Sequence, residues 1–299
     1  MDLTPHVQHH YQDVLKHLYI NPLEKCNLRC KICYTRKTNP ILSEEEILEF
    51  ITKYEHAEKL SIVTFCGGEV FTLPYFSGLV NTLTEKGIFV QVITNGTVDT
   101  LDKFSDPNSV NLIVSLDGLP DYHDANRGKG NFLKSSAFLK KAQSLGFHTE
   151  VFSIVTRQNY KDLDEFERYL ANLLGCMISV TYHPRKPPAY LAHHPISNIV
   201  GQVDGFDFLT PQEMRELLRN KKTFPPKELG CYQIALASDG KVYGCCEGTV
   251  PLGVMTDEVG QLFSQLKKRL ILWESANALQ NCLGCSQPDF VCGIKQYLT

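Results

Sequence analysis

The run Leu18-Tyr19-Ile20-Asn21-Pro22-Leu23-Glu24-Lys25-Cys26-Asn27-Leu28-Arg29-Cys30-Lys31-Ile32-Cys33 decides how the chain is read. Its first residues form a short apolar stretch that predicts a buried strand over 18–22. Three cysteines follow on the segment leaving that strand, and α/β folds keep their chemistry at the carboxyl ends of strands. An iron–sulfur cube normally takes four thiolates, one per iron, so three ligands leave one iron open to a substrate or cofactor. Structural zinc is the rival. It needs four ligands, and the neighbourhood of Cys26, Cys30 and Cys33 holds no fourth Cys or His.

Working outward, strands are predicted over 18–22, 61–66, 88–93, 110–115, 149–155 and 177–182, with helical segments between them. Ser43 and Glu46 form a capping box, and Leu42 with Ile47 fits a hydrophobic staple. Ile47, Phe50, Ile51 and Tyr54 make one apolar helix face. Gly87, Gly146 and Gly175 stand where helices would end before the next strand. Six strand–helix units in series imply a parallel sheet, which right-handed crossovers curl into a partial (β/α)6 barrel of the TIM type. A proline-rich stretch from Pro184 to Asp207 reads as a linker or lid. Thr210-Pro211-Gln212-Glu213 starts another helix, Asp239-Gly240 turns a hairpin between 234–238 and 241–243, and a helix covers about 259–275. The expected division is an N-terminal extension over 1–17, a barrel core over 18–205 and a small cysteine-rich domain over 206–299.

The 299 residues carry a net charge of −3 and are 43% hydrophobic, enough for a sizeable core and with no basic field for nucleic acid. No apolar run is long enough to span a bilayer and no signal pattern opens the chain, so a cytoplasmic protein without membrane contact is expected. Eleven cysteines are too many, and too grouped, for a cytosolic disulfide framework.

Each predicted strand end near the cysteines is polar or glycine-rich. Gly67-Gly68-Glu69 lets backbone approach a ligand, and its carboxylate suits an ammonium group. Thr94-Asn95-Gly96 reads as ordinary turn chemistry. Ser115 and Arg127 offer a hydroxyl and a guanidinium fork for a carboxylate. Taken singly, a turn or a solvated loop arginine explains these residues equally well. Together at one face, they match an amino-acid group chelating an open iron.

On these residues the chain resembles the radical S-adenosylmethionine (radical SAM) superfamily. The Cys-x3-Cys-x2-Cys triad and Gly67-Gly68-Glu69 match its signatures; Ser115-Leu116-Asp117-Gly118, His123-Asp124 and Arg127-Gly128-Lys129-Gly130 look like members with C-terminal SPASM or Twitch extensions. The resemblance implies a [4Fe–4S] cluster on Cys26, Cys30 and Cys33 with one free iron, chelated by S-adenosylmethionine. It places Gly67, Gly68 and Glu69 at the cofactor's amino group, Ser115 and Arg127 at its carboxylate, and Ile32 near its adenine. The implied activity is reductive cleavage of S-adenosylmethionine to a 5′-deoxyadenosyl radical that abstracts a hydrogen atom from substrate, in an oxygen-sensitive enzyme. Relatives often have Ser or Thr before the Gly-Gly-Glu and Pro after it; here Cys66 and Val70 stand there. Cys66 is a candidate hydrogen-atom donor or a small core residue.

The second cysteine group, Cys231, Cys245, Cys246, Cys282, Cys285 and Cys292, is one or two short of the complement for two auxiliary clusters in a full SPASM domain. The resemblance therefore implies one auxiliary [4Fe–4S] cluster, Twitch-like, on Cys231, Cys245, Cys282 and Cys285, with Cys292 as a substitute ligand and Cys246 outside the set. Zinc is the alternative for this group. A flavodoxin- or ferredoxin-type reductant is implied as partner. The expected substrate is a small molecule, since only residues 1–17 precede the first strand; a ribosomally made peptide or protein is the alternative. An iron–sulfur scaffold or electron carrier is the non-enzymatic reading, which gives Gly67-Gly68-Glu69 and Arg127 no use.

Overall fold

The computed structural model describes residues 3, 5–33, 35, 37–185, 203–223, 233–246 and 250–275. Six strands come first, joined by α-helices except between the third and fourth, where the short 3-10 turns Leu101–Lys103 and Pro107–Ser109 stand in place of the expected helical segment. After helix α1 (Pro5–Leu15) run β1 (His17–Ile20), α2 (Glu44–Ala57), β2 (Ile62–Phe65), α3 (Phe76–Glu85), β3 (Phe89–Thr94), β4 (Val110–Ser115), α4 (Pro120–Arg127), α5 (Asn131–Ser144), β5 (His148–Val155), α6 (Leu163–Leu174) and β6 (Val180–Pro184). Then follow α7 (Pro211–Asn220), β7 (Ile234–Leu236), β8 (Lys241–Tyr243), β9 (Pro251–Val254) and α8 (Val259–Ser275).

The helix starts follow the sequence signals. Ser43 accepts from the Glu46 amide while Glu46 reaches back to Ser43, and Thr210 with Glu213 repeats the arrangement before Pro211. Gly87, Gly146 and Gly175 all have positive φ, which relieves the last turn without steric cost. The α2 face Ile47, Phe50, Ile51 and Tyr54 is fully buried. Each such large side chain contributes about 1.5–3 kcal/mol relative to exposure.

All strands form one sheet in the order β6-β5-β4-β3-β2-β1-β7-β8-β9. The pairs from β6 through β1 to β7 are parallel; β7–β8 and β8–β9 are antiparallel. The α/β class with a mostly parallel sheet is therefore as expected. Beyond the expectation, the hairpin continues the barrel sheet by pairing β7 with β1: Leu18, Tyr19 and Ile20 lie opposite Ile234, Ala235 and Leu236, and the Asn21 amide donates to Leu236 O.

Alternation assigns the two faces. Leu18, Ile20, Val63, Phe65, Val90, Val92, Leu112 and Val114 are buried in the core. The opposite parity carries His17, Tyr19, Thr64, Cys66, Gln91, Ile93, Asn111, Ser115, Glu150, Phe152 and Ile154, a mixed polar and apolar concave face. Hydrogen bonds run across it from His17 Nε2 to Thr64 Oγ1 (2.8 Å), from Thr64 Oγ1 to Gln91 Oε1 (2.9 Å), and from Asn111 Nδ2 to Glu150 Oε1 (3.1 Å).

Candidate active site

The cysteine loop leaves β1 at the carboxyl rim of the sheet. Cys26, Cys30 and Cys33 line one cavity with Ile32, Gly67, Gly68, Ile93, Thr94, Asn95, Ser115, Asn126, Arg127, Phe152 and Ile154. Five successive strands, β1 to β5, thus deliver their carboxyl ends to it, as the fold requires of parallel strands.

The Gly-Gly-Glu segment supports the cysteine loop directly. The Gly68 amide donates to Leu23 O (2.9 Å) and the Glu69 amide to Lys25 O (3.0 Å). A Cβ on Gly68 would lie 1.8 Å from Lys25 O, and one on Gly67 would lie 2.2 Å from Leu23 O. Both glycines are thus demanded by the approach of the protein's own backbone.

Glu69, expected from sequence at a ligand's ammonium group, is enclosed by the protein. Its carboxylate is fully buried and is not part of the cavity wall. Oε1 accepts from Thr94 Oγ1 (2.8 Å) and the Phe71 amide (3.2 Å), and Oε2 accepts from the Asn95 amide (2.7 Å). Burial pushes its carboxyl above the ordinary range, and these donors oppose the shift. A side chain so engaged ties the second strand end to the third.

Thr94 and Asn95, read from sequence as a plain turn, belong to the site. Asn95 Nδ2 donates to Asn27 Oδ1 (2.9 Å) and approaches Cys26 Sγ (3.7 Å), while its Oδ1 accepts from the Thr97 amide (2.9 Å). Asn126 was also missed. It receives the Lys31 amide on its carbonyl (3.0 Å) and the Ile32 amide on Oδ1 (3.2 Å), between Cys30 and Cys33. The polar strand end at 94–96 hinted at Asn95, and nothing in the sequence marked Asn126, which lies in α4.

Ser115 and Arg127 line the cavity. Arg127 is also engaged from behind. Its Nε and Nη2 donate to Asp117 Oδ2 (2.6 Å) and Oδ1 (2.9 Å), with the Asp117 side chain fully buried and that of Arg127 10% exposed. Burial pushes the Asp117 carboxyl up, but the adjacent guanidinium more than offsets this and holds it below its ordinary value. Cys66 lies off the cavity wall and accepts a hydrogen bond from the Tyr19 hydroxyl. In the second cysteine group Cys245 is buried and Cys246 half-buried; Cys231, Cys282, Cys285 and Cys292 lie outside the described residues.

Among the described residues, no group of three His, Cys, Asp or Glu side chains is gathered as a single metal ion would need. Three thiols around a void fit a cube instead, because a cube takes each thiolate on a different iron. Burial pushes the Cys30 thiol up to about 11 and the Arg127 charge opposes that shift; coordination removes such protons outright. The donor set and the cavity therefore fit an iron–sulfur cluster.

Known proteins are similar to this chain. The profile of the Radical SAM superfamily matches residues 20–170. A tungsten-containing aldehyde ferredoxin oxidoreductase cofactor-modifying protein of Pyrococcus furiosus is 30% identical over 175 residues, 53% of this chain and 49% of that protein. The mycofactocin maturase MftC of Mycolicibacterium smegmatis is 32% identical over 164 residues, 52% of this chain and 41% of its own. The chain thus matches at most about half the length of these two relatives. A solved structure, native anSMEcpe with bound AdoMet and Kp18Cys peptide, superposes with a TM-score of 0.69 at 18% identity, covering 94% of this chain and 95% of that one. That likeness speaks for the fold.

Proposed function

We propose, from the premise that this chain belongs to the Radical SAM superfamily, that it is an enzyme using S-adenosylmethionine and a [4Fe–4S] cluster at the cavity described above. The observation that carries the reading is the convergence of three thiols, two glycine backbones, Ser115 and Arg127 on one cavity at the strand ends. When bound, the cluster would supply an electron to the sulfonium of S-adenosylmethionine, freeing a 5′-deoxyadenosyl radical that takes a hydrogen atom from substrate.

The chain's own residues bind and orient. Cys26, Cys30 and Cys33 would hold the cluster, and the main chain at Gly67–Glu69 would meet the cofactor's amino group. Ser115 and Arg127 would meet its carboxylate, a charge-assisted contact of the strong kind. Ile32, with Phe152 and Ile154, supplies apolar wall and keeps water from the reacting atoms. The division at 205/206, and an auxiliary cluster on Cys231, Cys245, Cys282 and Cys285 beyond it, belong to the same proposal, as does a flavodoxin- or ferredoxin-type reductant.

For the substrate we favour a peptide or protein. MftC is named a maturase, and the anSMEcpe structure holds a peptide, which supports this over the small-molecule expectation. The test is anaerobic reduction with S-adenosylmethionine. Release of 5′-deoxyadenosine by the wild type, absent in the Cys26→Ala/Cys30→Ala/Cys33→Ala variant, is the expected result; equal release by both overturns the reading. Incubation with candidate peptides and with small metabolites, followed by mass spectrometry, separates the two substrate classes.

A further inference from the structure

Asp117 sits behind the cavity wall and bonds three residues that line it, Asn126, Arg127 and Ile154. Its carboxylate, with no exposed surface, accepts from Arg127 Nε (2.6 Å) and Nη2 (2.9 Å), Asn126 Nδ2 (2.7 Å) and the Ile154 amide (3.2 Å). A carboxylate has about four lone-pair sites, so this one is full. Its main chain is fixed as well: the amide donates to His123 Nδ1 (3.2 Å), and the carbonyl accepts from Asn159 Nδ2 (2.5 Å).

We propose that Asp117 is a positioning residue whose single buried carboxylate sets both halves of the site, the Arg127 fork at the cofactor carboxylate and the Asn126 amide that pins the cluster loop. The inference rests on the reading of the cavity as a cluster and S-adenosylmethionine site. The pairing engages Arg127 along its Nε–Nη2 edge, which leaves the Nη1 end for a second acceptor at the cavity, and Arg127 is part of the cavity wall. Asp117 also fixes Asn126, whose Oδ1 and carbonyl receive the amides of Ile32 and Lys31. The loop between Cys30 and Cys33 therefore takes its position from the residue that aims the arginine.

The two halves separate by substitution. In Asp117→Asn the amide oxygen can still accept from Asn126, but its NH2 group opposes an Arg127 N–H, donor against donor, and the buried guanidinium loses its counter-charge. In Asn126→Leu the Asp117–Arg127 pair survives, the Ile32 amide loses its side-chain acceptor and the loop loses its tie to Asp117, while the Lys31 amide keeps the main-chain carbonyl of residue 126.

The experiment uses the full chain, reconstituted anaerobically, with iron per chain and the electron paramagnetic resonance signal of the dithionite-reduced cluster as readouts during titration with S-adenosylmethionine. We expect Asp117→Asn to keep wild-type iron and the unliganded signal, while the concentration that shifts the signal rises at least tenfold. Asn126→Leu is expected to lose more than half of the first cluster's iron. The double variant Asp117→Asn/Arg127→Leu carries no unpaired buried charge and should bind like Arg127→Leu alone, because the aspartate acts through the arginine. Affinity within twofold of wild type in Asp117→Asn, a double variant tenfold weaker than Arg127→Leu, or full iron in Asn126→Leu would overturn the proposal. If the wild-type signal does not respond to S-adenosylmethionine, the cofactor reading fails instead, and the two failures are distinct.

Discussion

Gly68→Ala tests whether the glycine pair serves the cysteine loop. The added methyl would sit 1.8 Å from Lys25 O, 2.3 Å from Lys25 C and 2.6 Å from Glu24 O, all backbone atoms one or two residues before Cys26. Real Cβ contacts do not fall below 3.0 Å, so one of the two segments must retreat by more than an ångström. If the glycine segment yields, the strain costs about 1–3 kcal/mol, which lowers Tm by roughly 4 °C at about 2 kcal/mol, and the wall of the cavity moves with it. If the loop yields, Cys26 leaves its place and the Gly68 N–H to Leu23 O bond of 2.9 Å is broken. Either route reduces the cluster. The assay is iron and sulfide per chain after anaerobic reconstitution, with the cluster's visible absorbance and a thermal melt on the same samples. Gly260→Ala, where nothing lies within 4 Å of the added carbon, is the control and should be neutral or slightly stabilising. A Gly68→Ala protein with wild-type iron, absorbance and Tm would refute the account of why glycine stands there.

Two further outcomes are expected. Cys66→Ser should leave S-adenosylmethionine binding and slow release of 5′-deoxyadenosine within about twofold of wild type, since the sulfur faces Tyr19 and lies off the cavity wall; a tenfold loss, measured by chromatography of the nucleoside, would return Cys66 to the chemistry. His17 gives a pH signature. Burial lowers its imidazole from 6.5 to about 4, so between those values the unfolded chain binds the extra proton and stability falls as pH drops through that window. His17→Gln should flatten the stability–pH slope there by up to about 1.4 kcal/mol per pH unit, read from urea midpoints between pH 6 and 4.5; His123, also lowered to about 4 by burial, keeps its own share.

Much of this was legible in the sequence because it is local. The capping boxes at Ser43 and Thr210, the glycines after helices and the alternating strands each depend on neighbours a few residues away. The cysteine triad was legible because ligand spacing is also local. What escaped is tertiary. Asn95 and Asn126 matter through bonds to Asn27 and Ile32, 68 and 94 residues away in sequence, and nothing nearby marks them as more than turn and helix residues. Glu69 takes bonds from Thr94 and Asn95, 25 and 26 residues further on, and no local signal announces them. Asp117 lay inside the quoted motif, yet its partnership with Arg127, ten residues on, needs the strand end and α4 to meet.

The pairing of β1 with β7 bears on the order in which the protein can mature. The strand that launches the cysteine loop is the first of the sheet to leave the ribosome, yet one of its two edges stays unpaired until residues 234–236 have been made. Until then β1 presents an open row of amides and carbonyls, the situation that invites pairing with the wrong chain. Contacts spanning more than 200 residues also form late, because loop closure must precede them. Firm loading of iron should therefore follow completion of the C-terminal hairpin, and a chain cut before residue 233 should aggregate during metal reconstitution rather than behave as a smaller enzyme.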